Sequence, residues 1–182
     1  MKTKKILLLT LLLSFTQLCM ATALLAASPS IPLAKLPEGM IKLDGRVAPP
    51  LVLKDIDGNV YDINSSKGNW VFVHFWATWC GPCRAEIPTV QDVVAKFENT
   101  KLDFLIINTA ESEDTVFSFL GVIAPDIIPL MDHDGLVTEQ WQPRGLPATY
   151  FVDPEGRLQY LALGGRPWNE AEYIEFLNFF SK

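Results

Sequence analysis

Two cysteines separated by two residues are the strongest chemical signal in the sequence. Cys80 and Cys83 follow an apolar run that ends at Trp76, and they open a stretch with helical spacing of apolar side chains. A thiolate is the nucleophile in disulfide exchange, and a helix N-terminus stabilises it with unpaired N–H groups and the positive end of the helix dipole. The position predicts that Cys80 is an exposed nucleophile. Cys83, nearly one turn later, is predicted to be a shielded thiol that resolves a mixed disulfide.

The same two cysteines could also be half of a metal site. A structural zinc site takes four ligands, and the sequence offers only His74 and His133 besides its three cysteines. We therefore expect redox chemistry at Cys80 and Cys83, with no metal and no organic cofactor.

The third cysteine, Cys19, lies in a segment typical of an export signal. Three lysines within the first five residues precede an apolar run that is followed by small residues. We predict a signal peptide or N-terminal membrane anchor over residues 1–27, an extended lead-in over 28–50 and one domain over 51–182. The positive start places the rest of the chain outside the cytoplasm. We expect a protein of the periplasm or cell envelope, soluble or anchored.

Composition fits a single globular domain. The chain has 182 residues, of which 49% are hydrophobic, and its formal net charge is −6. Surfaces that bind nucleic acid are typically basic, so this balance argues against such a partner. We find no glycine-rich phosphate-binding motif.

The spacing of apolar residues predicts strands that alternate with helices. A strand–helix–strand order indicates a parallel pair, and a late strand pair adds antiparallel neighbours. The fold class is therefore α/β, with a mixed central sheet flanked by helices. The predicted elements are a hairpin over Leu51–Ile63, strands over Trp70–Trp76, Leu102–Asn108, Ile127–Met131, Ala148–Asp153 and Leu158–Leu163, helices over Cys80–Phe97, Asp114–Leu120 and Trp168–Phe180, and a helical turn over Gly135–Trp141.

The run from Trp79 to Cys83 resembles the active-site motif of thioredoxins. Its middle residues, Gly81 and Pro82, form with Trp79 the active-site loop that this resemblance implies. Pro88, within the predicted helix, matches the family's helix proline. The resemblance implies a thioredoxin fold.

Longer patterns are similar to the exported thioredoxins of the TlpA/ResA type. They comprise the lead-in from Phe75, the residues from Cys83 to Pro88 and the run Pro147–Arg157. This resemblance implies an N-terminal β-hairpin over Leu51–Ile63 and an insertion, roughly 110–142, before the cis-proline loop.

Gly145–Thr149 matches the family's cis-proline loop. We expect a cis peptide bond between Leu146 and Pro147, because cis bonds in folded proteins occur almost only before proline and this loop faces the disulfide in thioredoxins. The Leu146 backbone would then be free to pair with an extended substrate segment.

Two further residues are candidates for proton transfer. Glu86 shares the inner helix face with Cys83, whose resolution step requires the loss of a proton, and the TlpA/ResA resemblance supports a functional glutamate here. A solvated surface glutamate is the alternative. His74 stands where thioredoxins commonly have aspartate and TlpA-like proteins often asparagine. It is either a proton relay or a neutral core group.

The tryptophans are expected to differ in exposure. Trp76 is predicted to lie in the core and Trp79 to be partly exposed beside Cys80. Trp141 and Trp168 are predicted to be ordinary packing residues.

We predict an exported thiol–disulfide oxidoreductase that reduces disulfides of envelope proteins through a Cys80–Cys83 cycle. Its partners would be disulfide-bearing proteins and a membrane or envelope dithiol protein that donates electrons. Gly81 and Pro82 are the intervening residues of reducing thioredoxins, and no charged group stands between the cysteines to stabilise a thiolate strongly.

Four alternatives remain open at this point. A copper-delivery module would use both cysteines and His133, although such proteins usually space their cysteines by three. A thiol peroxidase would want a hydroxyl residue where Ala77 stands. A disulfide oxidase or isomerase would need a higher redox potential. A reductant dedicated to cytochrome c maturation usually has glutamate after the cis-proline, where this chain has Ala148.

Overall fold

The computed structural model describes residues 36–182. The predicted signal or anchor over 1–27, with Cys19, lies outside the described residues. The strands are β1 (Met40–Lys42), β2 (Val52–Asp55), β3 (Val60–Asp62), β4 (Trp70–Trp76), β5 (Leu102–Thr109), β6 (Leu130–Asp132), β7 (Ala148–Val152) and β8 (Leu158–Leu163). The α-helices are α1 (Gly81–Lys96), α2 (Glu113–Ile123), α3 (Leu136–Trp141) and α4 (Ala171–Phe180).

All eight strands form one mixed sheet in the order β1-β8-β7-β4-β5-β6-β2-β3. The apolar faces of α1, α2 and α4 pack against one side of it. Trp141 of α3 and Leu51, which precedes the hairpin, pack on the other side. The predicted α/β architecture, a mixed central sheet with flanking helices, is confirmed.

Strand β4 is the centre of the sheet, and all seven of its residues are buried. It runs parallel to β5 and antiparallel to β7, with Phe75 opposite Ala148. Both faces of the sheet are covered here, so the β4 sequence is apolar on both faces instead of alternating, with His74 as its one polar side chain. Strands β4 and β5 end at the same edge of the sheet, and the antiparallel strand β7 begins there. The segments next to Trp76, Thr109 and Ala148 therefore meet at this edge.

Helix α1 begins at this edge. Cys80 is its N-cap, Pro82 lies in its first turn, where a missing N–H costs nothing, and Phe97 is its C-cap. Pro88 lies inside the helix, and a proline there removes one backbone hydrogen bond. The buried face of α1 carries Cys83 and Glu86 together with Ile87, Val90 and Val93.

The hairpin and the insertion that the resemblance implied lie side by side in the sheet. Strand β2 pairs with β3 and, on its other side, with β6 of the insertion. The lead-in contains one element that was not predicted. Strand β1 pairs antiparallel with β8, with Ile41 opposite Leu161, and three residues at a sheet edge are too short to show an alternating pattern.

The last helix starts three residues later than predicted. The chain from Trp168 to Glu170 is a loop, because the Trp168 backbone N–H donates to Oγ1 of Thr89 and its side chain is held in the core. Within residues 36–182, no helix combines the length and the apolar character needed to cross a bilayer.

Candidate active site

The two cysteines lie at the N-terminus of α1 and are joined by a disulfide, with their Cα atoms 5.2 Å apart. Sγ of Cys80 accepts a hydrogen bond from the backbone N–H of Cys83 at 3.2 Å. Cys80 is thus a sulfur N-cap of the helix. After reduction, the same N–H and the helix dipole would favour a thiolate on Cys80.

The two sulfurs differ in accessibility, although less than the sequence suggested. Cys80 is 6% exposed and Cys83 is 0% exposed. Cys80 is the more accessible one, as expected, but it is far from open to solvent. The exposed group beside it is Trp79, which is 69% exposed, whereas Trp76 is fully buried as predicted.

A carboxylate that we did not single out from the sequence anchors the loop before Cys80. Glu111 accepts a hydrogen bond from the backbone N–H of Thr78 at 2.7 Å and another from the Thr78 hydroxyl. Asn108 Nδ2 donates to the same carboxylate at 2.8 Å. Asn108 is the last buried residue of β5, which runs parallel to β4. A polar residue at that position was the one sequence feature that could have indicated a polar group next to the Cys80 loop.

The proline loop lies at the same edge of the sheet. The peptide bond between Leu146 and Pro147 is cis. Pro147 is buried directly before Ala148, which pairs with Phe75 near the end of β4. Leu146 is half-buried and packs against the core cluster that contains both cysteines.

Glu86 is buried and lies one helical turn beyond Cys83. It is 3% exposed, so it is not a solvated surface residue. Its Oε1 accepts a hydrogen bond from the backbone N–H of Arg166 at 3.1 Å and another from the indole N–H of Trp168. Residues three apart on a helix are neighbours, so the carboxyl group lies on the same buried face as Cys83.

Burial raises the pKa of Glu86 to about 8, because a charged carboxylate is poorly solvated there. The hydrogen bonds from Arg166 and Trp168 and the positive charge of Arg166 act in the opposite direction and lower that pKa. Glu86 also lines a cleft of about 350 Å³ between α1 and the chain at Gly165–Pro167.

His74 lies behind Glu86 and is fully buried. Its Nδ1 is 2.9 Å from Oγ1 of Thr149, within hydrogen-bonding distance. Its Nε2 is 3.9 Å from Oε2 of Glu86, and neither of these two atoms has a hydrogen-bond partner among the described residues. Burial lowers the pKa of His74 to about 3, so its imidazole is neutral at physiological pH.

Trp168 is more than the ordinary packing residue that we expected. Its side chain is fully buried and packs edge-on against Phe72, with ring centroids 4.9 Å apart, but its N–H is bonded to Glu86. A buried indole N–H usually has an acceptor. Trp168 and Glu86 are 82 residues apart in the chain, so no local pattern reveals the pairing.

Two of the alternatives find no support in the residues around the cysteines. Both ring nitrogens of His133 already face other groups: its Nδ1 is 3.1 Å from the Glu111 carbonyl oxygen and its Nε2 is 3.3 Å from a Glu113 carboxylate oxygen. Residues 36–182 contain no group of three or more His, Cys, Asp or Glu side chains that could hold a metal ion. Ala77 is fully buried and has no hydroxyl to offer a peroxide.

Comparisons with known proteins agree with this site. Residues 45–161 match the model of the AhpC/TSA family. The chain belongs to the AhpC/TSA family. The thiol-disulfide oxidoreductase ResA of Bacillus subtilis (strain 168) is 30% identical to this chain over 121 residues; the match covers 66% of this chain and 68% of ResA.

Solved structures place this AhpC/TSA protein among thioredoxin-like folds. The thioredoxin domain of a thiol-disulfide oxidoreductase from Bacteroides vulgatus is 25% identical with a TM-score of 0.64, covering 76% of this chain and 97% of that one. A thiol:disulfide interchange protein from Bacteroides sp. is 26% identical with a TM-score of 0.63, covering 78% and 92%. These similarities, together with the disulfide-bonded pair Cys80 and Cys83, show that the chain is a thiol–disulfide oxidoreductase.

Proposed function

We propose that this AhpC/TSA protein is exported and reduces disulfides of envelope proteins. The Cys80 thiolate attacks one sulfur of the substrate disulfide, and the other sulfur leaves as a thiolate that takes a proton from water. Cys83 loses its proton and attacks Sγ of Cys80, which releases the second substrate thiol. Two electrons pass to the substrate, and the enzyme is left with the Cys80–Cys83 disulfide.

The observation that carries the mechanism is the buried Glu86 beside the fully buried Cys83. A shielded thiol needs a base within the protein, and Glu86 has a pKa of about 8, close to that of an ordinary thiol. The ionised carboxylate accepts the Cys83 proton during resolution. When a dithiol donor attacks Cys80 of the oxidised enzyme, protonated Glu86 returns that proton to the departing Cys83 sulfur.

His74 acts in this scheme as the proton relay behind Glu86. Because Oε1 of Glu86 already accepts two N–H donors, the proton belongs on Oε2, which faces Nε2 of His74. The Thr149 hydroxyl can donate to or accept from Nδ1, so the ring can present either a lone pair or an N–H to Oε2. An approach of about 1 Å brings the pair into hydrogen-bonding range.

The substrate surface in this proposal is formed by Trp79 and the Leu146–Pro147 segment. Trp79 is the exposed aromatic group beside the nucleophile. The Leu146 backbone offers the hydrogen-bonding groups for an extended substrate chain. Both flank Cys80, which is the sulfur that a protein substrate reaches.

The reducing direction and the location rest on separate observations. Gly81 and Pro82 carry no charge, so neither residue stabilises a Cys80 thiolate. Strong oxidants have a strongly stabilised reduced form, and this pair of residues does not provide that stabilisation. The basic and apolar start of residues 1–27 supports export. A membrane or envelope dithiol protein would regenerate the reduced enzyme.

A trapping experiment tests the function. Cys83→Ala, expressed with the complete N-terminus in its native envelope, should accumulate mixed disulfides between Cys80 and substrate proteins, because the resolving thiol is missing. Cys80→Ala keeps a buried thiol of the same kind and is the matched control, which should trap nothing. Equal capture by both variants, or capture of cytoplasmic proteins, would contradict the proposal.

A further inference from the structure

The loop between β8 and α4 supplies both hydrogen-bond donors to Glu86. The donors are the backbone N–H of Arg166 and the indole N–H of Trp168. The loop is fastened to α1 by Thr89, whose Oγ1 accepts the Trp168 backbone N–H at 3.2 Å and donates to the Glu86 carbonyl at 2.8 Å. The position of this loop therefore determines which hydrogen bonds the Glu86 carboxylate accepts.

The side chain of Arg166 holds its own backbone in place. Its guanidinium donates to the carbonyl oxygen of Gly165 at 3.1 Å and to that of Leu163 at 2.8 Å. Its Nε is buried without a partner among residues 36–182. The guanidinium is thus folded back over the loop, with its positive charge kept near Glu86, where it lowers the pKa of that carboxyl group.

The N-terminal segment covers the outer side of this guanidinium at Gly39. A Cβ built on Gly39 would lie 2.1 Å from a terminal nitrogen of Arg166 and 2.4 Å from its Cζ. Gly39 also has a positive φ of +74°. The segment is fixed because β1 pairs with β8 and because the Tyr173 hydroxyl donates to the Glu38 carbonyl at 3.0 Å.

We propose that Arg166 is a positioning residue through which the N-terminal segment Leu36–Lys42 holds Glu86 in its place beside Cys83. This rests on the proposed role of Glu86 as the base for Cys83. Any residue larger than glycine at position 39 displaces the guanidinium, and the loop then loses both its internal hydrogen bonds and its charge next to the carboxylate. Glu86 then becomes harder to ionise, and resolution of the mixed disulfide slows.

Two glycines with the same backbone conformation provide a matched test. Gly58 has φ +85° and nothing within 4 Å of an added Cβ, so Gly39→Ala and Gly58→Ala share the cost of a left-handed alanine. The rate of resolution is read from the second thiol released when the reduced full-length protein reacts with a chromogenic aromatic disulfide. Gly39→Ala should raise the pH midpoint of the second thiol release. A rise of one pH unit would slow this release about tenfold at pH 7. Gly58→Ala should retain the wild-type midpoint, and equal profiles for the two variants would overturn the proposal.

A double-mutant cycle tests whether Gly39 acts through Arg166. Arg166→Ala should also raise the midpoint, and Gly39→Ala in that background should add no further change. An additive effect would refute the route through Arg166.

Glu86→Gln is the reference variant. If it leaves the rate of resolution unchanged, the proposed role of Glu86 itself fails. If Glu86→Gln slows resolution while the Gly39 and Arg166 variants do not, only the positioning role fails.

Discussion

Oε2 of Glu86 and Nε2 of His74 face each other at 3.9 Å in the interior, and neither has another hydrogen-bond partner among residues 36–182. Burial raises the pKa of Glu86 to about 8 and lowers that of His74 to about 3. At neutral pH both groups are therefore uncharged, and the pair is not an ion pair. At neutral pH the proton therefore resides on Glu86, because the pKa of His74 is far lower.

Glu86→Gln should slow the resolution step by about 100-fold, the usual scale for the loss of a general base. Glutamine keeps an oxygen for the Arg166 and Trp168 donors but cannot accept the proton of Cys83. The first thiol release, which depends on Cys80, should be almost unchanged. Stopped-flow release of the second thiol between pH 6 and 9 measures the effect, and an unaltered rate would remove Glu86 from the mechanism.

His74→Phe should have a smaller effect, about tenfold at pH 7, which corresponds to a shift of one unit in the pKa of Glu86. Phenylalanine retains an aromatic ring in the core but presents no nitrogen to Oε2. The pH midpoint of resolution should move upward, because the carboxylate loses its polar neighbour. A lower plateau rate with an unmoved midpoint would indicate a packing defect, and His74 would then be a core residue only.

The stability of the oxidised protein should fall as pH rises from 6.5 to 8. The unfolded chain releases the Glu86 proton near the ordinary pKa of 4.5, whereas the folded protein keeps it up to about 8. The folded state then binds more protons, so the free energy of unfolding decreases by up to about 1.4 kcal/mol per pH unit. His74 acts oppositely, but only between about pH 3 and its ordinary 6.5.

Urea unfolding at several pH values within that window measures the slope. The Glu86→Gln variant is the control, because glutamine does not titrate and its slope should be nearly flat. Parallel curves for the wild type and the variant would mean that the buried carboxyl group is already ionised at pH 6.5.

In the reduced protein, Cys80 should react with iodoacetamide at least about tenfold faster than Cys83. Cys80 is the less buried of the two cysteines, and only it occupies the N-cap position that stabilises a thiolate. Mass spectrometry of partly alkylated protein distinguishes the two sites. Faster labelling of Cys83 would reverse the roles assigned to the two sulfurs.

The redox potential should lie nearer to about −270 mV, the thioredoxin value, than to the −120 mV or so of strong oxidants. No charged residue stands between the sulfurs, and apolar Leu146 precedes the cis-proline. Equilibration with glutathione buffers of known ratio gives the value. A potential above about −180 mV would favour an oxidase or isomerase.

Local sequence patterns were sufficient for the elements that carry the nucleophile. The apolar run of β4 and the N-cap position of Cys80 follow from residue types that are close together in the chain, and the structure agrees with both. The burial of Glu86 could be expected from its spacing to Cys83 on one helix face. The periodicity of apolar residues indicates which side chains are buried, and the buried face of α1 agrees with it.

The partners of the buried polar groups could not be read in the same way. Glu86 contacts Arg166 and Trp168, which are 80 and 82 residues away, and His74 contacts Thr149 at a separation of 75. Such pairings arise only when strands and loops that are distant in sequence pack together. Propensity and spacing carry no information about which of the many buried donors meets which acceptor.

The pairing of β2 with β6 makes the N-terminal hairpin dependent on a segment far along the chain. In the described part of the chain, the hairpin joins the sheet only through β6, since β3 pairs with β2 alone. Removing the insertion would leave the hairpin without a strand to pair with and would expose the edge of β5. The hairpin therefore depends on the insertion for its place in the sheet, whereas β6 keeps its pairing with β5 without the hairpin.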